Sequence, residues 1–340
     1  MPGTPKELGQ SYPEAPHEKV EIIKDFKGAD ILSARQFDRE NLSVVFEKTE
    51  TMEAICERIR QERKFADHLS GYRLATLFYD PSTRTRLSFE TAMQNLGGLV
   101  ISESNAQFSS AVKGELLEDT VRVVELFNTD IIVLRHKEVG SSQIAADSVS
   151  IPVINAGDGK GEHPTQALLD LYTIQKECGT IDGITVTMLG DLKYGRTVHS
   201  LAYLLSLYNV KINLVSPSFL KMPSDLAEEL RGKGVEIDEL TSLDEVKGDC
   251  DVLYVTRVQK ERINEKEMSA IATHLQGFDQ HYALTPEIVS KSRAVIMHPL
   301  PRVRELPMEI DKLPQAAYFR QVKNGLYLRM ALLSLILKED

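Results

Sequence analysis

The chain has 340 residues, 42% apolar and 26% charged, with a formal net charge of −10. That length exceeds what one hydrophobic core ordinarily serves, which predicts two domains, and the composition excludes wholesale disorder. The acidic balance argues against binding nucleic acid or an anionic membrane surface, so any anion it binds must be gripped by a local basic cluster. Its three cysteines, Cys56, Cys178 and Cys250, are scattered without C-x-x-C spacing, which argues against a disulfide scaffold or structural zinc and fits a cytoplasmic protein. No segment approaches the roughly 20 consecutive apolar residues that span a bilayer.

Residues 1–25 are polar and proline-rich, without apolar periodicity, and read as a flexible arm rather than a signal peptide. Arg73–Tyr79 is predicted to be a strand, followed by the polar elbow 80–83 and a helix with Leu87, Met93 and Leu96 on its apolar side. Asp130–Leu134 is a continuous apolar run, as in a strand covered on both faces of a parallel sheet. Ile151–Ile154 is a third strand, followed by a glycine-rich loop over 155–161. A helix then runs from about Pro164 to Cys178, with Gly179 as its C-terminal stop.

A second series of strands follows at Ile184–Leu189, Lys211–Val215, Asp251–Val255 and Ala294–Met297, with a helix over Arg196–Tyr208. Such alternation predicts an α/β protein of two domains, each a mostly parallel sheet flanked by helices. The division is expected near the Cys178–Gly183 turn, giving domains over 26–180 and 181–314. The final amphipathic stretch (315–340), with Asn324-Gly325 read as an interruption, is expected to pack back on the first domain.

Ligands of open α/β sheets collect beyond the carboxyl ends of the strands. There the first series offers Ser82-Thr83-Arg84-Thr85-Arg86, where hydroxyls and fork-shaped guanidinium donors meet a helix N-terminus. Ser-Thr alone would be an ordinary helix cap. Two added cations near a positive dipole cost stability unless an anion offsets them. Arg135-His136 follows the next strand, and His163-Pro-Thr-Gln166 opens the next helix. The helix dipole disfavours protonation of His163, leaving a neutral imidazole able to donate to a polarised carbonyl. Arg196, Thr256-Arg-Val-Gln259 and the stiff loop His298-Pro-Leu-Pro301 occupy equivalent places in the second series. There is no P-loop, no G-x-G-x-x-G, no serine-nucleophile elbow and no metal-ligand spacing, so neither metal nor cofactor is expected. Arginines, hydroxyls and one histidine without a nucleophile suit transfer of an activated group between two bound anions.

Asp80-Pro-Ser-Thr-Arg-Thr-Arg-Leu-Ser-Phe-Glu90, Lys113-Gly-Glu115, His163-Pro-Thr-Gln166, Gly195-Arg-Thr197, Thr256-Arg-Val-Gln-Lys-Glu-Arg262 and His298-Pro-Leu-Pro-Arg302 occur in this order. From about residue 27 onward the chain resembles the catalytic chains of the aspartate carbamoyltransferase family. The resemblance implies transfer of a carbamoyl group from carbamoyl phosphate to L-aspartate, in pyrimidine biosynthesis. It implies that Ser82, Thr83, Arg84, Thr85 and Arg135 hold the phosphate, with Thr85, Arg135 and His163 polarising the carbamoyl oxygen. Gln166 and the carbonyls of Pro299 and Leu300, next to Pro301, would orient the carbamoyl NH2. Arg196, Arg257 and Gln259 would bind aspartate. Ser109 and Lys113 would reach in from a neighbouring subunit of a homotrimer, with regulatory chains as possible further partners. Asp80 stands where many relatives carry glutamate, at a position associated with domain closure. A carbamoyltransferase for another amine, such as ornithine, and a non-catalytic scaffold are the competing readings.

Overall fold

The run expected to be covered on both faces, Asp130–Leu134, becomes an inner strand of the first of two parallel sheets. The computed structural model describes residues 20–104, 110–246, 250–263, 268 and 282–338. The first sheet contains β1 (Arg73–Phe78), β2 (Leu99–Glu103), β3 (Ile131–His136) and β4 (Val153–Asp158), in the order β2-β1-β3-β4. The second contains β5 (Thr185–Leu189), β6 (Lys211–Val215), β7 (Glu236–Leu240), β8 (Val252–Val255) and β9 (Val295–Met297), ordered β7-β6-β5-β8-β9. Every pairing between these strands is parallel.

Helices cover the sheets: α1 (Arg39–Glu62), α2 (Thr83–Asn95), α3 (Leu117–Glu125), α4 (Ser141–Ser148), α5 (Pro164–Cys178), α6 (Arg196–Leu205), α7 (Ser224–Gly232), α8 (Pro286–Lys291) and α9 (Tyr318–Leu337). α1 starts at a reciprocal cap, in which Asp38 accepts the Asn41 N–H at 2.9 Å. It buries Leu42, Val45, Phe46, Met52, Cys56 and Ile59 along one stripe. α9 returns to the first sheet's helical cover and packs on α1, α2 and α5. Its end is held by Gly28 N–H on the Ile336 carbonyl (2.9 Å) and Lys27 Nζ on the Leu337 carbonyl (2.6 Å). Arg35, just before α1, is gripped by both carboxylate oxygens of Glu229 on α7, at 2.5 and 2.6 Å, and lies over the Tyr203 ring.

Four local expectations need correction. β2 and β7 were not anticipated from pattern, because both are half-exposed edge strands, as Glu-Ile-Asp-Glu-Leu in β7 shows. Leu87 faces solvent, and the apolar side of α2 is Phe89, Ala92 and Met93, with Leu96 following. β4 continues through the glycine-containing segment to Asp158, next to a register irregularity in β3 between Leu134 and His136. Asn324-Gly325 does not interrupt α9, which runs through both residues.

Strand order reverses between β1 and β3 in the first sheet and between β5 and β8 in the second, while every strand stays parallel. Such switch points open a crevice at the carboxyl ends of the strands. At the second crevice Gly190 has φ +119, and a Cβ there would lie 2.2 Å from the Thr256 carbonyl oxygen. Gly234 has φ +90 with nothing within 4 Å of such a Cβ. Gly190→Ala is therefore expected to lower the thermal midpoint clearly more than Gly234→Ala, whose backbone strain alone costs about 1–3 kcal/mol. Equal shifts in a calorimetric comparison would remove the role assigned to the close approach.

Candidate active site

Residues beyond both switch points line one cavity of about 750 Å³. From the first sheet and its helices come Ser82, Thr83, Arg84, Thr85, Arg135, His163 and Gln166. From the second come Arg196, Arg257, Gln259, Pro299, Leu300 and Pro301. Lys113 is exposed in the short turn Ser110–Lys113 and is not part of this lining. Ser109 lies outside the described residues.

Local structure explains how the cations are presented. Ser82 occupies the N-cap of α2 yet makes no side-chain cap; its hydroxyl donates to Thr85 Oγ1 at 3.1 Å. Of the two arginines in this turn, Arg84 faces the cavity while Arg86 pairs with Glu90 at 3.2 Å. Arg135 leaves β3 pinned to Asp80 at 2.7 Å and to the Ala156 carbonyl at 3.1 Å. Arg196, almost wholly buried, donates to the Gly159 carbonyl at 2.8 Å, while its Nε has no hydrogen-bond partner. The two side chains meet over Gly157 (φ +119), where a Cβ would lie 2.4 Å from Arg196 Nη2 and 2.9 Å from Arg135 Nη1. Only glycine leaves room for both guanidinium groups there. Arg257 donates to the Val258 carbonyl and is held by both oxygens of Glu261.

Two further cavity arginines were not anticipated. Arg262 donates to the Tyr194 carbonyl at 2.9 Å, and Arg329 donates to Ser88 Oγ at 2.9 Å from the middle of α9. Arg262 had a signal in the motif that also carries Arg257. Arg329 was visible as a lone charge in Leu326-Tyr-Leu-Arg-Met-Ala-Leu332, which a buried helix face retains only for a partner or a ligand.

Burial dominates the electrostatics. It pushes the Arg84, Arg135, Arg196 and Arg262 guanidinium groups below their ordinary values, and Arg329 to about 10. Neighbouring arginines add to the depression at the first four. The cavity holds six arginines with Lys137 and Lys160, against Asp80 and Glu261 as its carboxylates. Those two are already paired, with Arg135 and Arg257. Among the described residues, Arg84, Arg196, Arg262 and Arg329 form no ion pair.

His163 is the N-cap of α5, buried, with Nδ1 lacking a partner. Burial first, then Arg196, Arg135, Arg329 and Arg262, hold its pKa well below the ordinary imidazole value. The expected neutral state thus arises mainly from burial and nearby cations rather than from the helix dipole. The loop beside it is set by His298, whose Nδ1 accepts the Leu300 N–H at 2.8 Å. Its Nε2–H is then the donor to Glu305 at 2.9 Å. Leu300 is thereby held at φ +56. Among the described residues, no group of three or more His, Cys, Asp or Glu side chains could hold a metal.

Comparison with known proteins places the chain in a family. The family model for the carbamoyl-P binding domain of aspartate/ornithine carbamoyltransferases matches residues 29–176, and that for the Asp/Orn binding domain matches 182–336. Aspartate carbamoyltransferase 1 of Pisum sativum, a chloroplastic protein, is 53% identical over 93% of this chain and 80% of its own. The chain belongs to the aspartate carbamoyltransferase family. The catalytic subunit of aspartate carbamoyltransferase from Methanopyrus kandleri is 50% identical over 93% of this chain and 99% of its own. Among solved structures, Trypanosoma cruzi aspartate transcarbamoylase in complex with N-(phosphonacetyl)-L-aspartic acid superposes with a TM-score of 0.85. It is 38% identical, covering 94% of this chain and 99% of its own. The M. jannaschii catalytic subunit gives 0.82 at 45% identity, covering 90% and 96%.

Behind the cavity wall of this carbamoyltransferase, Asp170 is fully buried on α5. Burial raises its pKa to about 7, against hydrogen bonds from Tyr254, Gln321 and Gln166 and the charge of Arg329. A carboxyl raised on folding takes up a proton between its unfolded and folded pKa. Its contribution to stability is therefore most favourable near pH 4, falls as pH rises towards 7, and is flat above. Asp170→Asn is expected to remove that falling component from the pH dependence of thermal stability. An unchanged slope between pH 4 and 7 would assign it to other groups.

Proposed function

We propose that the chain transfers the carbamoyl group of carbamoyl phosphate to the α-amino group of L-aspartate, giving N-carbamoyl-L-aspartate and inorganic phosphate for pyrimidine biosynthesis. The observation that carries this reading is the surplus of unpaired guanidinium groups in one cavity of an otherwise acidic chain. Two anions supply the charge that the cavity lacks. The T. cruzi relative has been solved with carbamoyl phosphate and aspartate bound.

In this reading Ser82, Thr83, Arg84 and Thr85 at the start of α2 cradle the phosphate, with Arg135 beside them. The deprotonated amine of aspartate attacks the carbamoyl carbon and forms a tetrahedral oxyanion. Thr85, Arg135 and neutral His163 donate to that oxygen, each such donor being worth about 3–4 kcal/mol. The carbon–oxygen bond to phosphate then breaks, the departing phosphate oxygen takes the proton released by the attacking amine, and Arg84 and Lys113 balance the remaining charge. Gln166 and the Pro299 and Leu300 carbonyls accept from the carbamoyl NH2, with Pro301 shaping the loop. Arg196, Arg257 and Gln259 hold the aspartate carboxylates, with Arg262 as a further cation. No covalent intermediate with the protein is required. Bringing two anions into oriented contact accounts for roughly 7–11 kcal/mol of the barrier.

Ornithine is the competing acceptor, and the charge inventory disfavours it. A second ammonium group needs a free carboxylate, yet Asp80 and Glu261 are both engaged by arginines. With radiolabelled carbamoyl phosphate, label is expected in N-carbamoyl-aspartate and not in citrulline. Arg257→Ala should raise the aspartate KM by roughly 10–100-fold, the equivalent of one charged hydrogen-bonded contact, and leave that for carbamoyl phosphate nearly unchanged. Citrulline as the main product would sink the assignment.

The same reading makes the protein a cytoplasmic homotrimer whose sites are completed by Ser109 and Lys113 of a neighbour. The exposure of Lys113 away from its own cavity supports this. So does the exposed apolar surface of Leu99, Val112, Leu116, Val123, Leu126 and Phe127 around β2 and α3. No described helix is long and apolar enough to cross a membrane. Mixing inactive Lys113→Ala with inactive Arg84→Ala chains should restore roughly a quarter of wild-type activity, since each hybrid trimer regains one complete site in a cyclic, head-to-tail arrangement. No recovery despite proven subunit exchange would refute the shared site.

A further inference from the structure

Asp170 does not line the cavity, yet it holds two side chains that do. Its Oδ1 accepts from Gln166 Nε2 at 2.8 Å and from Gln321 Nε2 at 2.6 Å. Its Oδ2 accepts from the Tyr254 hydroxyl at 2.6 Å. Gln321 in turn accepts the backbone N–H of His298 through Oε1 at 3.0 Å. One carboxyl therefore joins α5, α9, β8 and the start of the loop 298–301.

An amide side chain has a donor end and an acceptor end of nearly equal shape, and only its partners decide which way it points. An acceptor at Oδ1 turns the NH2 of both glutamines inward. Gln321 is left with its oxygen on the His298 N–H. Gln166 is left with its oxygen as the end that makes no hydrogen bond among the described residues. We infer that Asp170 is a positioning residue that makes this end of the cavity an acceptor surface, so that the site selects an acyl phosphate bearing an NH2 group over one bearing a methyl group. The inference rests on the carbamoyl-transfer reading and extends it to the choice of donor. Rotated the other way, Gln166 would offer donors to the substrate's NH2 and repel it. A site built to pair with a polar group discriminates against an analogue that lacks it far better than an apolar pocket does.

The test uses the full chain and compares carbamoyl phosphate with acetyl phosphate and inorganic phosphate as competitors in carbamoyl transfer to aspartate. Asp170→Ala frees both amides to turn. Its KM for carbamoyl phosphate is expected to rise about tenfold or more, while the inhibition constants of acetyl phosphate and phosphate stay within about twofold. A purely structural defect would weaken all three together. Asp170→Asn keeps an oxygen for the two glutamines and turns its NH2 to the Tyr254 hydroxyl, so its carbamoyl-to-acetyl preference should stay within about twofold of wild type. Should Asp170→Ala not fold, Gln321→Met removes the link to His298 while keeping the side-chain length, and the same selective loss is expected. A folded Asp170→Ala or Gln321→Met protein with unchanged preference overturns the inference, as does an Asn variant that loses as much as Ala. A wild-type chain that does not carbamoylate aspartate at all would instead overturn the underlying reading.

Discussion

Holding several guanidinium groups together without counter-charges is the constraint on which the rest of this structure depends. Like charges in one cavity raise one another's energy, and removing each from water adds to that cost. The fold's solution is to fix the arginines with neutral acceptors. Arg135, Arg196, Arg262 and Arg257 donate to the carbonyls of Ala156, Gly159, Tyr194 and Val258. Carbonyl partners hold a guanidinium in place without cancelling its charge, so the field stays available to an incoming anion. Where a carboxylate does take part, at Asp80 and Glu261, it engages a single arginine. The acidic remainder of the chain makes this pocket an isolated positive region, which focuses small anions there.

Topology supplies the convergence. In each parallel sheet the strand order reverses once, between β1 and β3 and between β5 and β8, and the carboxyl ends at both switch points contribute cations to a single cavity. The two sides are also tied to each other: Tyr254 on β8 donates to Asp170 on α5, and Arg196 at the start of α6 donates to the Gly159 carbonyl after β4. Within the second crevice, Asp191 after β5 accepts the Gln259 N–H that follows β8 at 2.8 Å. Across the first crevice, Arg135 carries the Asp80 side chain and donates to the Asp80 carbonyl, linking the ends of β1 and β3. The two crevices are therefore joined by direct hydrogen bonds as well as by the cavity they share.

Sequence patterns revealed the inner strands because their both-face burial leaves continuous apolar runs, and α5 because proline and glycine mark its ends. Arg84, Arg135, Arg196 and Arg257 were legible as candidates because each follows a strand. What stayed hidden has a physical cause in each case. β2 and β7 are edge strands with polar faces, so alternation was blurred. Asp170 looks like any charge in an amphipathic helix until Tyr254 and Gln321, 84 and 151 residues away, close around it. The neutrality of His163 came out right from the wrong main cause, since spatial neighbours as distant as Arg329 cannot be read from local context.

α9 shows why a local rule can fail where the site needs it to. Asn324-Gly325 resembles a helix break, yet Asn324 donates to Thr173 on α5 at 3.0 Å, and a Cβ at Gly325 would lie 2.9 Å from both Leu169 and Arg329. The glycine's helix-propensity cost of about 1 kcal/mol is offset by close packing of α9 on α5. Gln321, Gly325 and Arg329 are spaced four residues apart and so share one face of the helix. The close approach at Gly325 brings the other two to the cavity, one to clamp Asp170 and the other as an unpaired cation. A side chain at this position would meet the Arg329 guanidinium and the Leu169 methyl group, and so would displace the cavity cation from its place. The helix that ends the chain is thus part of the site's wall, and the residue pair that looked like a defect is what lets it reach.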